Sequence, residues 1–470
     1  MSIATEIEKL KTNITNAYNT IELKNGTIPT NKNTDNLSDA ISSISTGIEI
    51  KNGVVDSNYY TSSGVIQSGT FVNVENVINF TDFTTSYGDI VDVCKIDENK
   101  QAVLTVQSSG DNKGAYILIT NRGEIIKSLL LSSSVKLSAS QYGKIATNNG
   151  VNILVGVLLN DSATHLFHIT YENDTLINNS SVSLRWGTNY DNIIERIDFL
   201  LENTAGIYFT AEFVEGTRKI YIITLNKVNK TITRSTSSYS PQFDSSSYSN
   251  YYGGCVPIDE QYAIVSYTNF SSSGNSANTK IVKYSTTGIS KYTTTQDPAV
   301  VNPYLFKIGN RILLFNRNTS TNELVVNLHN ESGKYQNQQV ITQYGNGITS
   351  ANFNFKVVKI SESLGLIAFD DIIESTHSLT YIPFKLENNI LTFASKIQTS
   401  QDGSNLNSLV DNLVNTIIIY LKNQYTTGDL TDLSFVIGKK YATIATEKID
   451  GLTKTDCSDT VSGDVYLLSK

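Results

Sequence analysis

The sequence predicts a mainly β protein: a β-propeller with seven four-stranded blades, preceded by a short α-helical module. Two observations lead there. The first is composition. Of 470 residues, 39% are hydrophobic and only 17% charged, and Tyr (26) and Phe (17) far outnumber Trp (1), Met (1) and His (4). Aromatic residues with abundant Ser, Thr and Asn suit pleated sheets. The second is a repeat. After residue 80 each unit has an apolar strand, a loop, a second apolar strand, a tight turn and a more polar strand.

The third strands of the units read as 115–119, 166–169, 220–223, 281–284, 324–328, 379–382 and 433–437. Each runs into a turn residue: Gly123, Asn173, Asn229, Gly288, Gly333, Asn388 and Gly438. Asn and Gly tolerate the positive φ that hairpin turns need. The turns recur about every 45–60 residues, the range of propeller blades. Upstream lie the apolar runs 102–106, 153–157, 207–209, 262–265, 312–315, 364–369 and 416–420. Continuous apolar runs fit strands covered on both faces. A β-sandwich pair, a β-solenoid, and six blades with a separate domain stay open.

The N-terminal stretch follows a different period. Ile3, Ile7, Leu10, Ile14, Ala17 and Ile21 recur at spacings of four and three, a heptad stripe on one helix. The run 25–29, Asn-Gly-Thr-Ile-Pro, stops that helix. A second helix is expected near Asp35, carrying Leu37, Ile41 and Ile44. So few apolar side chains cannot offset the entropy of ordering the hairpin alone. It must dock on copies of itself, on the rest of the chain, or on a larger assembly. The narrow stripe favours an assembly, and Ile3, Ile7, Leu10, Ile14, Ile21, Leu37, Ile41 and Ile44 are the expected attachment or oligomerisation contacts.

Three stretches also carry a family resemblance. They are the leader, with Ile7-Glu8-Lys9-Leu10, Gly26-Thr27-Ile28-Pro29 and Asn36-Leu37-Ser38-Asp39-Ala40-Ile41; the run 64–70; and the C-terminal runs 449–454 and 459–466. Together they resemble the leader, following β segment and terminal phrase of bacteriophage tail-fibre and baseplate-associated proteins, or their equivalents in phage-tail-like bacteriocins. The resemblance covers about a fifth of the chain and contains no catalytic motif. It implies a location in a virion tail or tail-like particle, after synthesis in the bacterial cytoplasm. It also implies other tail or baseplate proteins as partners, and a homo-oligomer with a trimer preferred. The heptad residues themselves do not decide between two and three strands.

Net charge is −8 and the pI near 5.2. This disfavours nucleic acid and anionic bilayers as partners through bulk charge. No 18-residue apolar run spans a membrane, and Met1-Ser2 leads straight into the helix without a signal peptide. Cys94, Cys255 and Cys457 are far apart and odd in number, so neither a disulfide framework nor a zinc site is expected.

In a four-stranded blade the loop between strands two and three and the link to the next blade share one end. Three long segments fall there: 185–190 between the second and third blades, 235–254 between the third and fourth, and 269–276 inside the fourth. Their Tyr, Ser, Gly and Asn content is that of an adaptable binding surface. Rings stack on the C–H faces of sugars while amides and hydroxyls meet sugar hydroxyls. Trp186, Tyr190, Tyr239, Tyr248, Asn250, Tyr251 and Tyr252 are the candidate ligand-binding residues, for a host cell-surface glycan or surface protein.

No catalytic residue, metal site or cofactor is expected. His165 and His168 are three apart on a strand and face opposite ways. His329 and His377 read as isolated. Asp370 and Asp371 end a strand and also face apart, one of them able to help bind Ca²⁺. The run 400–403 only brushes the Asp-box pattern of sialidase-like propellers. A glycosidase would need two carboxylates facing one cleft. The expected organisation is a helical attachment module (1–47), a β-rich connector (48–80), the propeller (81–447) and a C-terminal β extension (448–470). It is expected to bind rather than catalyse; a polysaccharide-degrading enzyme on the same scaffold, or a purely structural baseplate protein, are the alternatives.

Overall fold

A computed structural model describes residues 3–23, 28–42, 49–55, 65–77, 81–83, 87–107, 113–136, 143–147, 150–184, 193–202, 205–214, 217–238, 252–271, 274–295, 301–318, 321, 323–343, 355–373, 376–412, 415–444, 449, 451–454, 456 and 463–469. The chain divides into two units, residues 80–437 and residues 1–79 with 438–470.

The larger unit is a seven-bladed β-propeller of antiparallel sheets. The blades span 89–132, 143–184, 193–234, 252–295, 301–343, 355–398 and 406–437. The first strand of each blade touches the first strand of the next, and the seventh touches the first, so the ring is closed. Among the described residues seven apolar clusters hold it together, one between each pair of adjacent blades. The run Asn152–Leu158 is buried along its whole length, as is Thr416–Leu421. Alternate side chains of such strands enter the clusters on either side of their blade. In blade 6, Leu366 and Ala368 face blade 7 while Ile367 and Phe369 face blade 5.

Closure uses residues from both ends of the unit. The third strand of blade 7, Gln424–Thr431, pairs through its start with Thr81–Asp82 and through its end with Ser434–Ile437. Phe83 then packs edge-on to Tyr420 and Tyr425, with centroids 6.2 and 6.0 Å apart. The buried Tyr420 hydroxyl lies 3.1 Å from Thr120 Oγ1 of blade 1.

Positive φ is found at the expected turn residues Gly123, Asn173, Gly333, Asn388 and Gly438. In blade 3 it falls at Lys230 rather than Asn229, and in blade 4 Gly288 has no positive φ. Two expectations about strands are corrected. The run 433–437 is the fourth strand of blade 7, not the third; the true third strand is polar, Gln-Tyr-Thr-Thr-Gly-Asp-Leu-Thr, so its pattern hid it, and the turn is at Asp432. The expected loop 269–276 is mostly paired strand, because Tyr262–Ser271 and Gly274–Ser285 continue their register to Ser271↔Gly274.

Among the described residues the smaller unit has a five-stranded sheet and two helices, Ile3–Leu23 and Leu37–Ser42. Its strands run in the order Glu49–Val55, Gly463–Ser469, Gly451–Thr453, Phe71–Val77 and Lys439–Ile444. Thus the expected connector, the expected C-terminal extension and the last expected propeller segment form one sheet. The propeller ends at 437 rather than 447, because Lys439–Ile444 pairs with Phe71–Val77.

Tyr18, Ile21, Leu37, Ala40 and Ile41 form one buried cluster with Leu452, flanked by Ile14, Ala17, Ile28 and Tyr466. The Tyr18 hydroxyl donates to the Asn33 carbonyl at 2.7 Å, which satisfies the one polar atom of that ring. The second half of the heptad stripe is therefore spent within the chain itself, while Ile7 and Leu10 are each 47% exposed. The Ile3 side chain and Ile44 lie outside the described residues.

The leader, the run 64–70 and the C-terminal run 449–454 meet here. Gly69 N donates to Thr453 O at 2.8 Å, Ser68 N to Asp456 Oδ1 at 2.8 Å, and Thr453 Oγ1 to Gln67 O at 2.7 Å. Leader, β segment and terminal phrase are far apart in sequence and adjacent in this unit.

Candidate functional site

The inner edge of each blade has backbone groups with no neighbouring strand, a liability that side chains must cover. Asp92 Oδ2 accepts from Ile145 N of blade 2 at 3.1 Å, and Asp198 Oδ2 from Cys255 N of blade 4 at 3.0 Å. Asn407 Nδ2 donates to the Ile90 and Val91 carbonyls of blade 1 at 2.9 and 3.1 Å.

That last contact is beside a cleft of about 370 Å³ lined by Asp89, Ile90, Val91, Ser404, Asn405, Leu406, Asn407 and Lys422. Its volume is at the small end of ligand pockets. Asn407 Oδ1 is buried there without a partner among the described residues. Lys422 Nζ lies 3.2 Å from Asp89 Oδ2. The lining offers amides, a hydroxyl, one cation and one anion beside Ile90, Val91 and Leu406, groups suited to a ligand bearing hydroxyls.

Next to this cleft, Ser404 links it to a second group of polar residues. Asp402 caps the short turn Gly403–Asn405, accepting from Ser404 N at 2.9 Å and from Ser404 Oγ at 2.6 Å. Asp370, His377 and Asp402 each offer one ligand atom within 4.8 Å of the others. The local sequence explains why. Asp370 continues the Leu366–Ala368 face of its strand, and His377 sits on the same face of the next strand, diagonally across the pair Asp370↔Leu379. The link to blade 7 then passes alongside, with Leu379 N donating to Gln401 O at 2.7 Å.

Asp370 is 2% exposed; its Oδ2 lies 2.6 Å from His377 Nδ1 and its Oδ1 has no partner among the described residues. Burial pushes its carboxyl above the usual range, His377 pulls it back, and the charges of Asp402 and Asp371 push it further up. Asp371 points to the other face, as strand alternation requires, and accepts from Lys396 Nζ at 2.9 Å and Gln398 Nε2 at 3.1 Å. Two carboxylates and an imidazole could together hold a divalent cation. As catalysts they are poorly placed: Asp370 is buried, Asp402 is engaged by its own turn, and Asp371 is ion-paired.

His377 is therefore not isolated. The signal available in sequence was a carboxylate and an imidazole on one face across a tight hairpin. The other histidines stay apart: His165 Nε2 lies 2.9 Å from Asp161 Oδ2, His168 is buried with its Nε2 2.9 Å from Asn152 Oδ1, and His329 is buried against Tyr335. Among the expected ligand-binding residues, Trp186, Tyr190, Tyr239, Tyr248, Asn250 and Tyr251 lie outside the described residues. Tyr252 opens the first strand of blade 4, its backbone paired with Tyr267.

No protein-family model matches the chain, and no curated protein matches it. Solved propellers do. A proposed 6-phosphogluconolactonase from Bacteroides uniformis is similar with a TM-score of 0.51 at 12% identity, over 78% of this chain and 98% of that one. The periplasmic gluconolactonase of Pseudomonas aeruginosa has a TM-score of 0.49 at 10% identity, over 82% and 99%. A lectin from Burkholderia pseudomallei has 0.46 at 9%, over 80% and 100%. At such identities the likeness is one of fold.

Proposed function

We propose that the chain is a fibre or receptor-binding protein of a phage tail or tail-like particle. In this reading the smaller unit attaches to other tail or baseplate proteins, as part of a homo-oligomer, and the propeller binds a host cell-surface ligand, a glycan by preference. One observation carries it: the three separated stretches that resemble tail-fibre proteins fold into a single unit, apart from the propeller. The cleft between blades 7 and 1 adds support, with its sugar-sized volume and its free buried amide oxygen. Several weak sites on one particle would supply avidity.

The second reading is a polysaccharide-degrading enzyme. Asp370, His377 and Asp402 favour it by their proximity, and their burial and engagement weigh against it. The test is adsorption of the full chain to susceptible cells, with a resistant strain as control and released sugar assayed in the supernatant. Specific adsorption that falls at least tenfold in Asn407→Leu, without sugar release, is expected. Sugar release abolished by Asp402→Asn would put the enzyme reading first. Equal adsorption to both strains would overturn receptor binding.

A further inference from the structure

The centre of the propeller holds a set of charges that neither the cleft nor the metal-ligand cluster uses. Arg196 of blade 3 lies over the Tyr304 ring of blade 5, 5.2 Å from its centroid. It passes over blade 4, where a Cβ on Gly254 would come within 3.0 Å of the guanidinium. Lys356 of blade 6 feels Lys144 of blade 2 and Arg196 as repulsion and Asp92 of blade 1 as attraction. Blades 6 and 2 are not neighbours on the ring, so their first strands interact across the central channel.

The carboxylates of this layer are already engaged. Asp198 accepts from Arg196 Nε at 2.8 Å and from Cys255 N, and Asp92 from Ile145 N. Asp411, on the adjoining first strand of blade 7, is paired with Lys95. Among the described residues neither the Lys144 nor the Lys356 side chain has an ion-pair or hydrogen-bond partner. Beside the Lys95–Asp411 pair, three cations thus share the channel with two committed carboxylates, inside a protein whose net charge is −8. Such enclosed charge focuses attraction on an opposite ion.

We propose that the channel binds a small oxyanion, a carboxylate or a phosphate, between Lys144 and Lys356, with Arg196 held in place by Asp198 and Tyr304. Burial first, and repulsion by Lys144 and Arg196 after it, push the Lys356 ammonium down to about 8, against the attraction of Asp92; a bound anion would relieve the repulsion. Binding should therefore weaken as pH rises through that value; Lys144, Arg196 and Asp92 are the charges that act on Lys356, and the two strands packed against its own carry Tyr304 and Asp411.

The test is calorimetric titration of the full chain with inorganic phosphate and, separately, with glucuronate. Lys144→Met, Lys356→Met and the double variant are compared with Lys283→Met, a change on an exposed lysine, and thermal melts check folding. At least one probe should bind the native chain and Lys283→Met at least tenfold tighter than the folded double variant. Phosphate alone would identify a phosphoryl ligand and glucuronate alone a sugar acid. No heat from either probe at millimolar concentration, or equal binding by the double variant, would overturn the site. If the double variant does not fold, loss of affinity between pH 7 and 9 in the native chain decides in its place.

Discussion

His377 Nδ1 lies 2.6 Å from Oδ2 of a carboxylate, Asp370, that is almost wholly buried beneath it. The imidazole supplies the one hydrogen bond that Asp370 has among the described residues, and its loss would leave both oxygens of a buried group without a partner. His377→Ala should therefore destabilise the propeller by about 1–3 kcal/mol at neutral pH. The Asp370 carboxyl is already raised by burial, and without His377 it should rise further. A folded-state value above the unfolded one means stability is lost as pH rises. The variant should recover stability on mild acidification more than the native chain does, in denaturant melts at pH 7 and pH 5.

Glu212 gives a second titration. It is buried in blade 3 with Arg234 Nη1 3.1 Å from its Oε2, and Thr210 donating at 3.1 Å. Burial outweighs both partners and pushes its carboxyl up to about 7. Its contribution to stability is full below the ordinary value of 4.5 and is lost as pH rises through about 7. Glu212→Gln should remove on the order of 3 kcal/mol of pH dependence across that interval. Melts at pH 4.5 and 8 that keep the native slope would refute it.

Gly123 tests ring closure. It has φ +91°, and a Cβ there would lie 2.1 Å from Cε2 of Tyr425, across the seam between blades 1 and 7. Gly123→Ala combines an unfavourable backbone with a clash against a buried ring, and should cost about 2–4 kcal/mol. Adding Tyr425→Leu should recover part of the loss, read as a coupling in a double-mutant cycle.

Leu37 tests the smaller unit. It is 1% exposed in the cluster with Tyr18 and Leu452. Leu37→Ala should cost about 2–5 kcal/mol. Hydrogen exchange should quicken in Gly451–Thr453 and Gly463–Ser469, the strands that cover the cluster, while the blade cores keep their protection. Uniform loss across both units would show that the two melt as one.

Ile7 and Leu10 make the complementary test. Both are about half exposed, ahead of the buried part of the stripe. Under the attachment reading, Ile7→Asp with Leu10→Asp should leave the melting temperature within about 2 °C, a surface-sized effect, and block incorporation into particles. Particles with normal content of the variant would remove these residues from the interface.

The propeller was legible because its second and third strands are apolar on both faces, a pattern that survives without tertiary information. Blade 7 was misread where that fails: Gln424–Thr431 is polar yet buried, since Tyr425 and its neighbours pack across the closing seam. The heptad stripe was read correctly as helical, but periodicity cannot say what covers a stripe, and half of this one is covered by Leu452 and Tyr466. Asp370 and His377 were each visible as single residues. Their meeting depends on strand register, and that of Asp402 on the path of an inter-blade link, neither of which one sequence states.

The pairing of Val77 with Lys439 has a further meaning. Two adjacent strands of one sheet are joined by the entire propeller, so the propeller is in effect the loop of a hairpin. During synthesis the leader helices wait for strands that emerge only after blade 7, while every blade is already available to fold. Exchange of the material between those two residues would replace the propeller and leave the host sheet its own pairing, a route by which one small unit could come to carry a different body.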